Sequence, residues 1–376
     1  MSECIICKRL LKNKIFTMDN MPSRVQFLPA ENELADDTGM QLNLYQCDYC
    51  GLIQFDCSPV YYYKDVIRAV GLSKTLKELR IGQYRELIEK YGLSGKKVWE
   101  VGCGGGEFLA LWDGLGVSGF GVEHNDVLLQ KATENGLNVN KGFVDRNYVD
   151  PNGPFDAFVS FNYLEHQPDP VSMVEGIYNN LKEGGIGLLT VPSFEYFIEK
   201  ASYYEFMRDH IAYYTERALQ NLFLMNGFDV CEISRFNGDT TEIIVRKRKP
   251  VVLPDFEGQR INIGQKLNSF VKSHNDIEKI AVWGASHQGL TMMATLELEF
   301  KPAYIIDSSP LKWNAYSTVS HLAIVDPQKA YADKPDLIII MAPAFSEEIA
   351  KQIRDNVPDM KYILAVKDDE VLVLLG

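Results

Sequence analysis

The chain has 376 residues, enough for two or three packed domains, and its 46% hydrophobic and 24% charged residues are ordinary for a globular protein. No apolar run approaches the ~18 residues that a membrane-spanning helix needs, and a formal net charge of −13 argues against nucleic acid as a partner. Seven cysteines, an odd number, speak against a disulfide framework, and Met1-Ser2-Glu3-Cys4 lacks the basic-then-apolar pattern of a secretory leader, so a cytoplasmic location is expected.

Residues 1–60 carry Cys4-Ile5-Ile6-Cys7 and Cys47-Asp48-Tyr49-Cys50. Two such knuckles can bring four thiolates to one tetrahedral Zn²⁺, a structural site because no coordination position stays open. Gly51 supplies the permissive backbone that the second knuckle wants. Cys57 breaks the spacing and reads as a small buried residue. From 61 to 92 a connector begins with Tyr61-Tyr62-Tyr63 and becomes helical, with Leu76, Leu79, Ile81, Tyr84, Leu87 and Ile88 on one face and Gly92 at its end. Arg68 and Ser73 are its notable polar residues.

Residues 93–247 read as a doubly wound α/β sheet. Val98-Trp99-Glu100-Val101 is a buried strand, Gly102-Cys103-Gly104-Gly105-Gly106 a tight loop, and the apolar residues after Phe108 predict the start of a helix. Phe120-Gly121-Val122-Glu123 is a second strand ending in an acid that can accept hydrogen bonds from the ribose hydroxyls of an adenosine. A helix over 125–135, a third strand at 137–139, a strand over 155–161 and a helix over 171–182 follow. Gly184-Gly185 predicts a turn before a strand at 186–192. Asn162 to His166 lies past a strand's carboxyl end, where ligands gather in such sheets. Thr215 is a candidate N-cap, strands at 229–234 and 242–247 complete the sheet, and Lys247-Arg248-Lys249-Pro250 is the expected linker. Residues 251–376 form a second α/β unit, in which Ile280–Trp283, the turn Gly284-Ala285-Ser286-His287-Gln288-Gly289, and Ala303–Asp307 repeat the construction. That turn is not the strict dinucleotide fingerprint.

Glu100, Gly102, Gly104, Gly106 and Glu123 resemble the first two motifs of class I S-adenosylmethionine-dependent methyltransferases, with no lysine to make the loop a phosphate cradle. The resemblance implies that the loop meets the amino-acid end of the cofactor and that Glu123 holds its ribose, with Asn162 as a further cofactor contact. The whole chain resembles the three-domain sugar C-methyltransferases, which act on nucleotide-linked 4-keto-deoxysugars. The four cysteines with Gly51-Leu52-Ile53-Gln54 look like that family's zinc-binding domain. Ser160 to His166 looks like part of its cofactor domain. Ala281 to Ala285, Ile306 to Lys312 and Lys334 to Leu337 look like its C-terminal domain. The fold implied is a class I methyltransferase Rossmann-like sheet, flanked by an N-terminal zinc-binding domain and a C-terminal Rossmann-like α/β domain.

Methylating carbon requires removing a proton α to a ketone and stabilising the enolate. The resemblance makes His210 and His166 candidate bases, with Asp209 orienting or assisting. The family's Tyr-His-Glu-His segment stands here as Met207-Arg208-Asp209-His210, and Arg68 to Ser73 replaces its Tyr-x-Tyr-x-Ser-Ser. Arg68, Ser286 and His287 are candidate substrate contacts; a guanidinium can grip an anion bidentately, which a tyrosine cannot. The expected function is C-methylation of a nucleotide-linked sugar with S-adenosylmethionine and structural zinc as cofactors. Its rivals are an O- or N-methyltransferase for another small metabolite, and a non-catalytic cofactor- or sugar-binding protein.

Overall fold

A computed structural model of the chain describes residues 2–26, 28–65 and 73–376. It divides into two compact units, Met1–Pro250 and Val251–Gly376. The first holds strands β1 (Asn13–Met21), β2 (Met40–Gln46) and β3 (Ile53–Phe55), helix α1 (Lys74–Tyr91), β4 (Lys97–Val101), β5 (Ser118–Glu123), α2 (Asp126–Glu134) and β6 (Val139–Lys141). These are followed by β7 (Phe155–Phe161), α3 (Pro170–Asn180), β8 (Leu181–Pro192), α4 (Phe194–Lys200), β9 (Ala212–Tyr213), α5 (Glu216–Met225), β10 (Phe228–Phe236) and β11 (Thr240–Lys247).

Seven strands form one sheet in the order β10-β11-β8-β7-β4-β5-β6. β6, β5, β4, β7 and β8 run parallel, and β11 is inserted antiparallel between β8 and β10. This is the class I methyltransferase Rossmann-like fold. Its central strands are apolar on both faces because helices cover both. Trp99 is fully buried and stacks on Phe155 at 5.1 Å between centroids, so truncating it costs about 3–5 kcal/mol. Ser73 caps α1 by accepting from Leu76 N–H at 3.2 Å, and Gly92 ends it in the left-handed conformation. Thr215 caps α5 through Ala218 N–H at 3.1 Å. Beneath α1 the buried Arg80 guanidinium lies over the Phe161 ring at 3.6 Å. Arg80 donates to Gln83, which in turn donates to Glu242 on β11.

Two expectations are corrected. The residues after Gly106 form only a short 3-10 turn, Leu109–Trp112, and no α-helix. Gly114 and Gly116 take φ of +74° and +75°, which ends any helix before it can nucleate. Gly184-Gly185 does not separate helix from strand either: β8 starts at Leu181 and runs through both glycines.

The N-terminal residues form a four-stranded sheet, β1-β2-β3-β9. Its last strand comes from the segment between β8 and β10 of the Rossmann-like sheet, pairing through Ile53↔Tyr213 and Gln54↔Ala212. Position 60 is therefore no break in packing, and the knuckles share one hydrophobic core with Trp99, Phe158 and Tyr214. Cys57 is half-buried, not enclosed.

The second unit contains α6 (Phe256–Ser273), β12 (Ile280–Trp283), α7 (His287–Thr295), β13 (Tyr304–Ile306), β14 (Ile324–Val325), α8 (Pro327–Asp333), β15 (Leu337–Ile340), α9 (Ser346–Asn356), β16 (Tyr362–Lys367) and β17 (Glu370–Leu375). Its sheet order is β14-β13-β12-β15-β16-β17, parallel except for the β17 edge. Among the described residues, no helix is long and apolar enough to cross a membrane.

Candidate functional site

The glycine loop leaves β4 through Gly102, Gly104 and Gly106 at φ of +72°, +57° and +82°. At Gly102 a side chain is barred twice, by φ and by the Tyr163 ring, 3.0 Å from where a Cβ would stand. At Gly104 a Cβ would meet nothing nearer than 3.8 Å, so space is open above the loop's centre. Glu123 locks this loop. Its Oε2 accepts from Gly104 N–H at 2.8 Å, and its Oε1 accepts from His124 N–H at 2.9 Å and Asn125 N–H at 2.8 Å. A carboxylate offers about four acceptor positions, so Oε2 keeps one for a ligand hydroxyl. Burial pushes the Glu123 carboxyl up, against those N–H groups, which favour the charged form. Glu100 is buried on β4 beneath the loop. Asn162 stands exposed past β7 at φ +49°, its Oδ1 accepting from Thr190 Oγ at 2.8 Å. These residues fit an adenosine-bearing cofactor: backbone that a ligand can approach, and an acid with spare acceptor capacity.

Just beyond Asn162 a 3-10 turn, Leu164–His166, brings His166 against His210, rings edge to face at 4.6 Å. His166 Nδ1 lies 2.8 Å from the Asp209 main-chain oxygen. A carbonyl only accepts, so Nδ1 carries the proton and Nε2 keeps its lone pair. Burial lowers His166 to about 4. Burial first, and then the neighbouring imidazole, holds His210 well below the usual histidine range. Both rings are therefore neutral near pH 7.

Asp209 touches His166 through its main-chain carbonyl. Its buried carboxyl is raised by burial against the Tyr62 hydroxyl and the Val25 N–H, so it faces the N-terminal segment. Arg208 ties the same segment down by donating to Ser23 O at 3.0 Å and Ser58 O at 3.3 Å. A cavity of about 490 Å³ opens beside it, lined by Arg24, Pro59, Tyr61, Tyr62 and Arg208 together with Glu33, Asp36 and Asp37.

Glu165 was not singled out by sequence reasoning. It is buried, and burial holds its carboxyl up at about 8. The signal available was its place directly before His166, past the carboxyl end of β7.

The four knuckle sulfurs lie within 4.8 Å of one another, with Cys4–Cys50 at 3.4 Å and Cys7–Cys47 at 3.5 Å. A disulfide would need about 2.05 Å, whereas a tetrahedral ion with ~2.3 Å bonds to sulfur spaces its thiolates by about 3.8 Å. Each knuckle turns through a left-handed residue directly after its second cysteine, Lys8 at φ +59° and Gly51 at +79°. Gln54 braces the first knuckle, accepting from Ile5 N–H at 2.9 Å and donating to Glu3 O at 3.2 Å. The donor set fits Zn²⁺.

In the second unit, Ser286 is the N-cap of α7, accepting from Gly289 N–H at 3.3 Å, and His287 is exposed at that helix's start. Arg68 lies outside the described residues.

Comparisons with known proteins agree with this layout. A family described as a methyltransferase domain matches residues 76–233, and one described as a C-methyltransferase C-terminal domain matches residues 242–366. The chain thus matches a methyltransferase-domain family within its first unit and a C-methyltransferase C-terminal-domain family over most of its second. It is 33% identical over 118 residues to the ubiquinone biosynthesis O-methyltransferase of Thiobacillus denitrificans, covering 30% of this chain and 51% of that one. The Escherichia fergusonii protein of that name is 37% identical over 117 residues, covering 29% and 48%. The chain spans about half the length of these curated relatives. Similar solved structures include an S-adenosylmethionine-dependent methyltransferase from Clostridium acetobutylicum (14% identity, 50% of this chain, 97% of that chain, TM-score 0.38). Another is the magnesium protoporphyrin IX methyltransferase of Synechocystis with bound S-adenosylhomocysteine (14% identity, 48% and 90%, TM-score 0.37).

Proposed function

We propose that the chain transfers a methyl group from S-adenosylmethionine to a carbon of a nucleotide-linked keto-deoxysugar. The observation that carries this reading is the C-methyltransferase C-terminal domain match that directly follows the methyltransferase sheet. Glu123, Glu100 and the glycine loop hold the cofactor, which supplies an electrophilic methyl group. The neutral imidazoles of His166 and His210 provide the proton acceptor that an α-carbon needs, and the tautomer fixed by the Asp209 carbonyl leaves His166 Nε2 as an acceptor. The cavity beside Arg208 presents the Tyr61 ring, with two guanidiniums set among the carboxylates of Glu33, Asp36 and Asp37. Arg68, Ser286 and His287 remain candidate substrate contacts. A structural Zn²⁺ on Cys4, Cys7, Cys47 and Cys50 braces the N-terminal sheet.

The test is a panel of nucleotide 4-keto-deoxysugars with labelled cofactor, alongside deuterium exchange α to the ketone without cofactor, read by NMR. Transfer to carbon, with exchange reduced at least about 100-fold in His210→Ala or His166→Ala, is expected. Bound cofactor with neither exchange nor transfer on any member would rule out the sugar. A second reading, O-methylation of a small metabolite, is favoured by the relatives at 33–37% identity. The same NMR spectrum separates an O-methyl from a C-methyl product.

A further inference from the structure

We propose that Glu165, His166 and His210 form a divalent-metal site of two imidazoles and one carboxylate. One ligand atom from each lies within 4.8 Å of the other two. Ion–ligand bonds of ~2.0–2.2 Å space tetrahedral donors by about 3.3–3.6 Å, so side-chain rotation over roughly an ångström closes the set. Two observations point to an ion. Glu165 Oε2 and His210 Nδ1 are buried with no hydrogen-bond partner among the described residues, a costly arrangement that a cation would relieve. His166 meets the Asp209 carbonyl at 2.8 Å through Nδ1. That outer contact is the one that orients a metal-ligating imidazole and frees its Nε2. Two nitrogens and one oxygen suit Zn²⁺, Co²⁺ or Ni²⁺.

The consequence rests on the histidines being the proton acceptors of methyl transfer. A lone pair given to a metal cannot take a proton, so metal occupancy withdraws the base and shuts off proton removal. The site regulates by competition between an ion and a proton.

The experiment uses the full chain with zinc already in its cysteine site, titrated with Co²⁺ and followed by calorimetry and visible absorption. One further equivalent is expected, with d–d bands and no new thiolate charge-transfer band. Glu165→Gln and His210→Ala should each weaken it at least about tenfold, while S-adenosylhomocysteine binding reports that the variants are folded. Spin-echo spectroscopy of Cu²⁺ on the unaltered chain, needing no variant, should show two bound imidazoles. No further equivalent, undiminished binding in both variants, or a single imidazole would overturn the proposal. Because no acceptor is present, failure here leaves the methyl-transfer reading standing, and failure of transfer leaves metal binding intact.

Discussion

Glu123 and Asp307 hold the same place in the two units, at the end of the second strand of an α/β turn. Each reaches back to the turn that follows the first strand: Glu123 to Gly104 N–H, and Asp307 to Ala285 N–H at 2.9 Å. Their surroundings differ. Asp307 also accepts from Ser309 N–H at 2.9 Å, and Lys312 pairs with it at 3.0 Å. Asp307 takes three donors, as Glu123 does, but one of them is an ammonium that offsets its charge, and the turn around it is packed tight. A Cβ on Gly284 would lie 3.0 Å from Met341 O, and one on Gly289 would lie 2.0 Å from Gly284 O. Open space lies above Gly104, and Glu123 is held by amides that leave it an acceptor position. The same corner is therefore open over its glycine loop in one unit and closed by a lysine in the other.

The sharpest break between the units should come from metal removal. Stripping zinc with a chelator, or Cys47→Ala, is expected to lower the unfolding temperature of the first unit by more than about 10 °C, because structural zinc contributes on the order of 10 kcal/mol. A protease-resistant fragment starting near Val251 should survive; its loss would mean that the units do not stand apart. Next, Glu123→Ala should weaken S-adenosylhomocysteine binding by about 100-fold, since a charge-assisted contact and the loop's anchor vanish together. Asp307→Ala should leave that affinity unchanged and cost the second unit about 2–4 kcal/mol in denaturant unfolding. Equal effects of both substitutions on the cofactor would erase the distinction.

Smaller effects come from the glycines. Gly102→Ala forces a Cβ into the left-handed region at about 1–2 kcal/mol and onto the Tyr163 ring, so calorimetry should show affinity for the cofactor product falling about tenfold. Gly284→Ala, at φ +123°, should lower stability with no change in that affinity. The mildest effect is a pH dependence confined to the first unit. Burial raises Glu242 to about 7 in the folded state. A carboxyl with a raised folded pKa favours folding while protonated, so its contribution is present below its unfolded value and lost as pH rises to about 7. Beside the similarly raised Glu165, Glu242→Gln should lessen the first unit's loss of stability between about pH 4.5 and 7 and raise its unfolding temperature by a few degrees at pH 8. An unchanged pH profile would rule out Glu242 as its source.

The geometry of the glycine loop and its acid was readable in the amino-acid sequence because it is local. The alternate glycines here take positive φ, and the sheet order sets the end of the neighbouring strand, with its acid, beside them. The missing helix after Gly106 was not readable, since Leu109, Leu111 and Trp112 bear the apolar pattern of a helix while Gly114 and Gly116 end it too soon. Strand β9 was invisible because two residues carry no periodicity. Glu165 was passed over because its character comes from burial by distant segments, and a carboxylate's type says nothing of the water around it. For the same reason the pairing of His166 with Asp209 reads as carboxylate assistance in sequence and is a main-chain contact in the fold.

The short strand Ala212–Tyr213 also orders events during synthesis. Cys4 to Phe55 leave the ribosome first, yet their sheet lacks its last strand until Ile53 meets Tyr213. Asn221, later still, donates to Cys50 O at 3.0 Å. At ~5–20 residues per second, the four thiols wait on the order of ten to thirty seconds with the sheet incomplete. A metal ion captured in that interval would tie up the thiolates before Tyr213, three residues past His210, pairs with Ile53.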